Sequence, residues 1–301
     1  MEEKAKEIMI NASLSAGLIN NNTDLSQFLV LEPVVSSIYF NSSGLYFDKT
    51  FNEGKPYIIC IIGEKTLDLY TYRNRNNSNN QTEFIEVYQP LGGNYGLDYI
   101  NEEFIKRLIV EIFGEQKIND IKEKADEDWD KFKNDIEKLK KYADSYGNLL
   151  ENKELDCRLF GYDSGKSLDD YIKDYNQKNH KYKYEIKKSQ NRNYNWELLI
   201  PNKIFLNVYE EISYKIFLFI EEIYNDIHTG HILFLGTVSP INIIVNFLYD
   251  FAKEKKMDIS IVVSEAPEKS ISFGAVLFGL DNYVIKKRKE QFTALSKWYS
   301  Y

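Results

Sequence analysis

Cysteine is scarce in this chain. Its 301 residues hold two, Cys60 and Cys157, too few for a disulfide framework and too far apart for metal-ligand spacing. Both are expected to be reduced structural thiols. Histidine is almost as rare, and His180, His228 and His231 make no zinc signature. Basic residues are outnumbered, 38 Lys and Arg against 46 Asp and Glu, for a net charge of −8. That balance argues against a nucleic-acid partner or an anionic membrane surface. No apolar run approaches the roughly eighteen residues that span a bilayer. The charged first ten residues give no signal peptide, so a cytoplasmic protein is expected. Neither a Walker-type loop nor a nucleophile elbow occurs. No segment repeats at a period of about 20–50 residues.

What is present is enough apolar material for a core. Hydrophobic residues make 43% of the chain and aromatic ones 15%, which excludes a disordered polymer and permits one large domain or two modest ones. Residues 3–18 read as a helix, 28–31 as a short strand, and 33–39 as a helix opened by Pro33. Three adjacent strands follow, at 56–62, 67–73 and 83–88, joined by short turns into an antiparallel meander. The first is apolar on both faces, as in a central sheet position. A glycine loop, Gly92-Gly93-Asn94-Tyr95-Gly96, opens a helix near Asp98. Residues 118–142 read as one long, charge-rich and mostly solvated helix. A strand is expected at 196–200 and an amphipathic helix at 201–227, closed by Gly230. Strand, helix, strand, helix then run through 232–235, 240–255, 259–263 and 267–280. The last helix contains Gly274-Ala275.

Four segments, taken in order, carry a resemblance. They are Glu32-Pro33-Val34-Val35-Ser36-Ser37-Ile38-Tyr39; residues 61–68; the 92–96 glycine loop running into Tyr99-Ile100-Asn101; and 232–251 together with 267–288. This order resembles the ATPase domain of the seventy-kilodalton heat-shock (DnaK-type) family, and its atypical branch, member twelve of the A series, above all. The resemblance implies an α/β fold, an actin-like ATPase (ribonuclease H-like) lobe with a mixed five-stranded sheet and an inserted α+β subdomain. Residues 1–50 would be the end of a first lobe with the inter-lobe helix. Residues 51–103 and 226–301 would be the second-lobe core, and 104–225 the insertion. The family's first phosphate hairpin, with its aspartate and the lysine after it, has no counterpart in residues 1–50. A complementary N-terminal lobe or another protein is therefore an expected partner.

The implied ligand is ATP or ADP, with or without Mg²⁺. The family's second phosphate loop, Asp-x-Gly-Gly-Gly-Thr-x-Asp, falls on residues 61–68. Gly63, Thr66 and Asp68 match it, whereas Ile61 replaces the leading aspartate and Glu64 and Lys65 replace glycines. Glycines there let backbone N–H groups approach phosphates. The alternative is an ordinary hairpin turn. Gly93 belongs to the glycine loop. Glu137, Lys140 and Lys141 repeat the spacing of the family's adenine and ribose clamp on one helix face; otherwise they belong to a solvated face. Gly236 and Thr237 stand for the adenosine loop, with Glu268 near the base. The alternative for that loop is a strand-to-helix turn with Ser239 as N-cap and Pro240 in the first helical position. Asp126, Asp128, Asp130 and Glu137 have the offsets of a calcium loop, but Lys131 occupies the place of its obligatory glycine. No catalytic residue is assigned. An inefficient or inactive ATPase, a non-catalytic interaction scaffold and half of a split ATPase are the competing functions.

Overall fold

The computed structural model describes residues 2–20, 30–43, 54–79, 81–124, 126–140, 154–156, 167–178, 183–188, 196–199, 202–236, 241–264, 267–280 and 283–286. The expected strand at 28–31 lies largely outside them. The chain divides into two compact units. One comprises Met1–Gly54, Asn74–Ile85 and Glu265–Lys287; the other comprises Lys55–Arg73, Glu86–Ser264 and Arg288–Tyr301.

The architecture is mixed α/β. In the larger unit β1 (Pro56–Ile62) runs antiparallel to β2 (Leu67–Asn76) and parallel to β7 (His231–Gly236), which is parallel to β8 (Ser260–Val263). β3 (Thr82–Gly93) borders β2, giving the order β8-β7-β1-β2-β3. These are the five expected strands. A short sixth, β9 (Val284–Lys286), pairs in parallel with the start of β3 within the smaller unit. β1 is central because its side chains are apolar on both faces: Ile58, Cys60 and Ile62 enter the core of the larger unit, and Tyr57 and Ile59 are buried too.

Helices supply the rest of that core. α3 (Leu97–Ile105) passes through a π-helical turn at Lys106–Val110 and ends at Glu111–Phe113. Gly114, at φ +85°, turns the chain into α4 (Glu115–Lys124). α5 (Asp126–Lys140) follows, and the two cover the described part of the helix expected at 118–142. They are not solvated throughout. Ile118, Ile121, Trp129, Phe132 and Ile136 are buried, an apolar stripe at helical spacing inside a charge-rich segment. On the outer face Lys131 pairs with Asp128 and Lys133 with Asp130, so the carboxylates with calcium-loop offsets lie on a regular helix.

A small three-stranded sheet, ordered β4-β6-β5, is made by Glu154–Asp156 (β4), Trp196–Leu199 (β6) and Glu185–Lys188 (β5). α6 (Leu168–Gln177) begins with a capping box in which Ser167 and Asp170 satisfy each other's backbone N–H groups. α7 (Asn202–Ile227) buries Phe205, Val208, Ile212, Ile216, Ile220 and Ile223. Each such side chain contributes about 1.5–3 kcal/mol of burial. α7 packs on α8 (Ile241–Glu254) and on α3. Its end differs from expectation. His228, not Gly230, takes the left-handed conformation, at φ 55°. Gly230 is needed because a Cβ there would lie 2.0 Å from the Asp258 carbonyl oxygen.

In the smaller unit, α1 (Glu2–Ser15) is followed by α2 (Glu32–Ser43), which packs along α9 (Pro267–Leu280). Gly274 permits this contact: a Cβ on it would sit 1.8 Å from the Val35 carbonyl oxygen. Val34, Val35 and Ile38 of α2 are buried, and Tyr39 stacks on Phe273 at 6.1 Å.

Candidate functional site

The parallel strands fix one end of the larger unit. In the β1–β7 register Ile62 stands opposite Gly236, so both strands finish level with each other. Parallel sheets bind ligands at the carboxyl ends of their strands. Two glycine-bearing turns lie there, 63–66 after β1 and 92–96 between β3 and α3, and β7 itself ends on Gly236.

The 63–66 turn is tight. The Gly63 N–H donates to the Thr66 carbonyl at 2.8 Å, and the Thr66 hydroxyl donates to Asp68 Oδ2 at 2.7 Å. Its carbonyls face α3. The Gly96 N–H donates to Lys65 O at 3.2 Å, Leu97 N–H to Gly63 O at 3.0 Å, and Asp98 N–H to Glu64 O at 2.9 Å. A helix start leaves N–H groups without intrahelical partners. Gly96, the N-cap, has no side chain to satisfy them, so the turn's backbone does so. The amides of Glu64, Lys65 and Thr66 have no backbone acceptor among the described residues, and all three residues are exposed.

The glycines of this end are not equivalent. A Cβ on Gly92 would lie 2.3 Å from Leu67 O, and one on Gly96 2.5 Å from the Lys65 carbonyl carbon. On Gly236 it would press on Ile62 O at 3.2 Å, and on Gly93 it would meet the Tyr95 ring at 2.8 Å. At Gly63 it would touch nothing nearer than Thr66 O at 3.6 Å. Close packing accounts for Gly92, Gly96 and Gly236; space does not account for Gly63.

Gly63, Thr66, Asp68, Gly93 and Gly236 thus lie on the turns of this end or on the strands entering them. Glu137 and Lys140 belong to the last turn of α5, and Glu268 to the first turn of α9; their side chains lie outside the described residues. Lys141 and Thr237 lie outside them entirely. Ile61, where the resemblance expects an aspartate, is a half-buried strand residue. Asp68 is the carboxylate at this end that already accepts a hydrogen bond, and among the described residues no group of three or more side chains could hold a metal ion. The donors fit phosphate oxygens. A Mg²⁺ ion, which takes most of its ligands from phosphates and water, would find Asp68 as its protein carboxylate here. Beneath the turn, burial and then Asp68 push the Cys60 thiol far above its ordinary range, leaving it an apolar wall.

Among the described residues no helix is long and apolar enough to cross a membrane. Comparison with protein-family models and with curated proteins returns no match. Among solved structures, a pCBH ParM non-polymerisable quadruple mutant is similar to this chain, at 12% identity and a TM-score of 0.41. The likeness covers 81% of this chain and 52% of that one, so the chain spans about half the length of that protein.

Proposed function

We propose that this chain binds ATP or ADP at the carboxyl end of β1 and β7, with the phosphates on the 63–66 turn. The observation that carries the reading is the convergence of the 63–66 and 92–96 turns with the end of β7 at Gly236. There the amides of the exposed residues Glu64, Lys65 and Thr66 have no backbone acceptor among the described residues, and the positive end of the α3 dipole lies beneath the 63–66 turn. Gly63 and Thr66 would border the phosphates, Gly93 the loop beside them, and Gly236 with Thr237 the sugar. Glu137, Lys140, Lys141 and Glu268 are assigned to the base and ribose by the heat-shock-70 resemblance alone. The division at residues 50, 104 and 225 belongs to the same reading, as does a complementary N-terminal lobe.

Hydrolysis by this chain alone is expected to be inefficient. Phosphoryl transfer depends on positioning a metal and the attacking water, and Ile61 can do neither. Glu64, Asp68 and Asp98 also outnumber Lys65 at the turn, so the cations of the resemblance, Lys140 and Lys141, are needed to balance a polyphosphate.

Packing supports a second reading, a non-catalytic interaction scaffold. Gly92 and Gly96 are required by the turn they lie on, and the first amides of α3 are occupied by protein carbonyls. Calorimetric titration of the full chain with Mg·ATP and Mg·ADP separates the two. Saturable binding that Lys140→Ala weakens supports the nucleotide site. Absence of heat at millimolar nucleotide from a well-folded chain refutes it and leaves the scaffold.

A further inference from the structure

Away from the strand ends, α3, α7 and α8 enclose an open cleft of about 560 Å³. One wall is aromatic: Tyr99, Tyr214 and Phe251, the last two edge to face at 5.5 Å. The opposite chemistry is acidic, from Glu103, Glu210 and Glu211. Three cations also line the cleft, and each is already engaged. The Arg107 guanidinium, largely buried, donates to Glu211 at 2.5 Å and lies 3.5 Å from Glu103. Lys106 reaches Glu103 at 3.6 Å. Lys215 Nζ sits over the Tyr95 ring at 4.8 Å and the Tyr99 ring at 5.8 Å.

Glu210 is different, because it has no ion pair among the described residues. Among the described lining residues Lys215 is the cation with no ion pair and is held over aromatic rings, while Glu210 is the carboxylate with none. The field has the same sign nearby. Burial first, then Glu103 and Glu211, raise the Tyr99 phenol above its ordinary range, and Arg107 offsets this only in part. The backbone is also unusual at this place: the π-helical turn begins at Lys106 and Arg107, both of which line the cleft. Such turns recur at functional sites, since they cost helical hydrogen-bond geometry.

We propose that this cleft is a binding site for an organic cation, an amine or guanidinium carried on an apolar frame. Its charge would pair with Glu210, and its carbon frame would lie against Tyr214 and Phe251. Cations are attracted to aromatic faces within about 6 Å, and Lys215 over Tyr95 and Tyr99 is that interaction already made within the chain. An anion would have to draw Arg107 or Lys106 from a carboxylate or Lys215 from its rings, whereas a cation at Glu210 displaces no ion pair. The ligand's source is either a free amine or a basic side chain presented by a partner protein.

The test titrates the full chain with phenethylammonium, with neutral 2-phenylethanol, and with a capped tetrapeptide holding Arg beside Phe. Chemical shifts of the Tyr214 and Phe251 rings provide the readout. The ammonium should bind at least about fivefold more tightly than the alcohol. Glu210→Gln, at an exposed position with no partner to lose, should remove that preference without moving the thermal midpoint. Tyr214→Ala should weaken both ligands. A peptide that outcompetes the ammonium identifies a partner's side chain as the source, and the reverse order identifies a free amine; either supports the site. Equal binding of ammonium and alcohol, a preference that survives Glu210→Gln, or no shift at about 10 mM overturns it.

Discussion

Gly63→Ala tests the nucleotide reading most directly, because the structure separates its two consequences. The added methyl would lie 3.6 Å from Thr66 O and 3.9 Å from Thr66 Oγ1, ordinary van der Waals distances. Gly63 does not have a positive φ, so alanine enters without strain. Replacing glycine at such a position stabilises by about 0.4–1 kcal/mol through the unfolded chain, and the thermal midpoint should hold or rise by about 2 °C. The methyl nevertheless stands where a phosphate must approach the turn amides. A tenfold rise in nucleotide Kd, about 1.4 kcal/mol, is expected from calorimetric titration. Gly96→Ala is the counterpart. Its Cβ would fall 2.6 Å from Glu64 O, so the turn and α3 must part at a cost of about 1–3 kcal/mol, and the midpoint should fall by several degrees. If Gly63→Ala binds ADP as well as the parent chain does, the phosphates do not lie on this turn. If it unfolds as early as Gly96→Ala, the packing argument fails.

Gly274→Ala should destabilise the smaller unit by about 2–3 kcal/mol, since α9 can no longer touch Val35 of α2; an unchanged circular-dichroism melt would contradict that contact. His231 is held below its ordinary value of 6.5 by burial and by Lys55, with Asp258 opposing. The unfolded chain therefore takes up the proton first. That contribution is complete above about pH 6.5 and is lost as pH falls below it toward the folded value. The slope of denaturation midpoint against pH should flatten in His231→Gln, and an identical slope would remove His231 from the account. Cys60, buried and with its thiol raised, should resist a thiol reagent in a Cys157→Ser background until the chain unfolds; modification of the native protein would show that β1 opens.

The strands were legible because their chemistry is simple. β1 is apolar on both faces, β2 alternates, and β7 carries the apolar run Ile232–Leu235 up to Gly236. Pro33 announced α2. The buried side of α4 and α5 was hidden by composition: Trp129, Phe132 and Ile136 lie three and four residues apart, but lysines and acids surround them. Gly230 looked like a helix terminator, while His228, a residue with a Cβ, adopted the left-handed turn. The π-helical turn at Lys106–Val110 has no sequence mark, for KRLIV reads as ordinary helix. Of the candidate site, Gly63, Thr66, Asp68, Gly93 and Gly236 could be placed in sequence by their turns. What could not be read was which glycines are demanded by neighbouring backbone, since that depends on atoms distant in the chain. The cleft was equally invisible, because Tyr99, Glu210 and Phe251 come from three helices with no shared motif.

The hydrogen bonds from α3 to the 63–66 turn have a consequence for motion. The first amides of a helix ordinarily exchange with solvent fast, because fraying exposes them. Those of Leu97 and Asp98 are tied to the carbonyls of Gly63 and Glu64, so they can open only when the turn lifts away from the helix. Their deuterium uptake therefore clocks that separation, and anything that pins the turn in place should slow it.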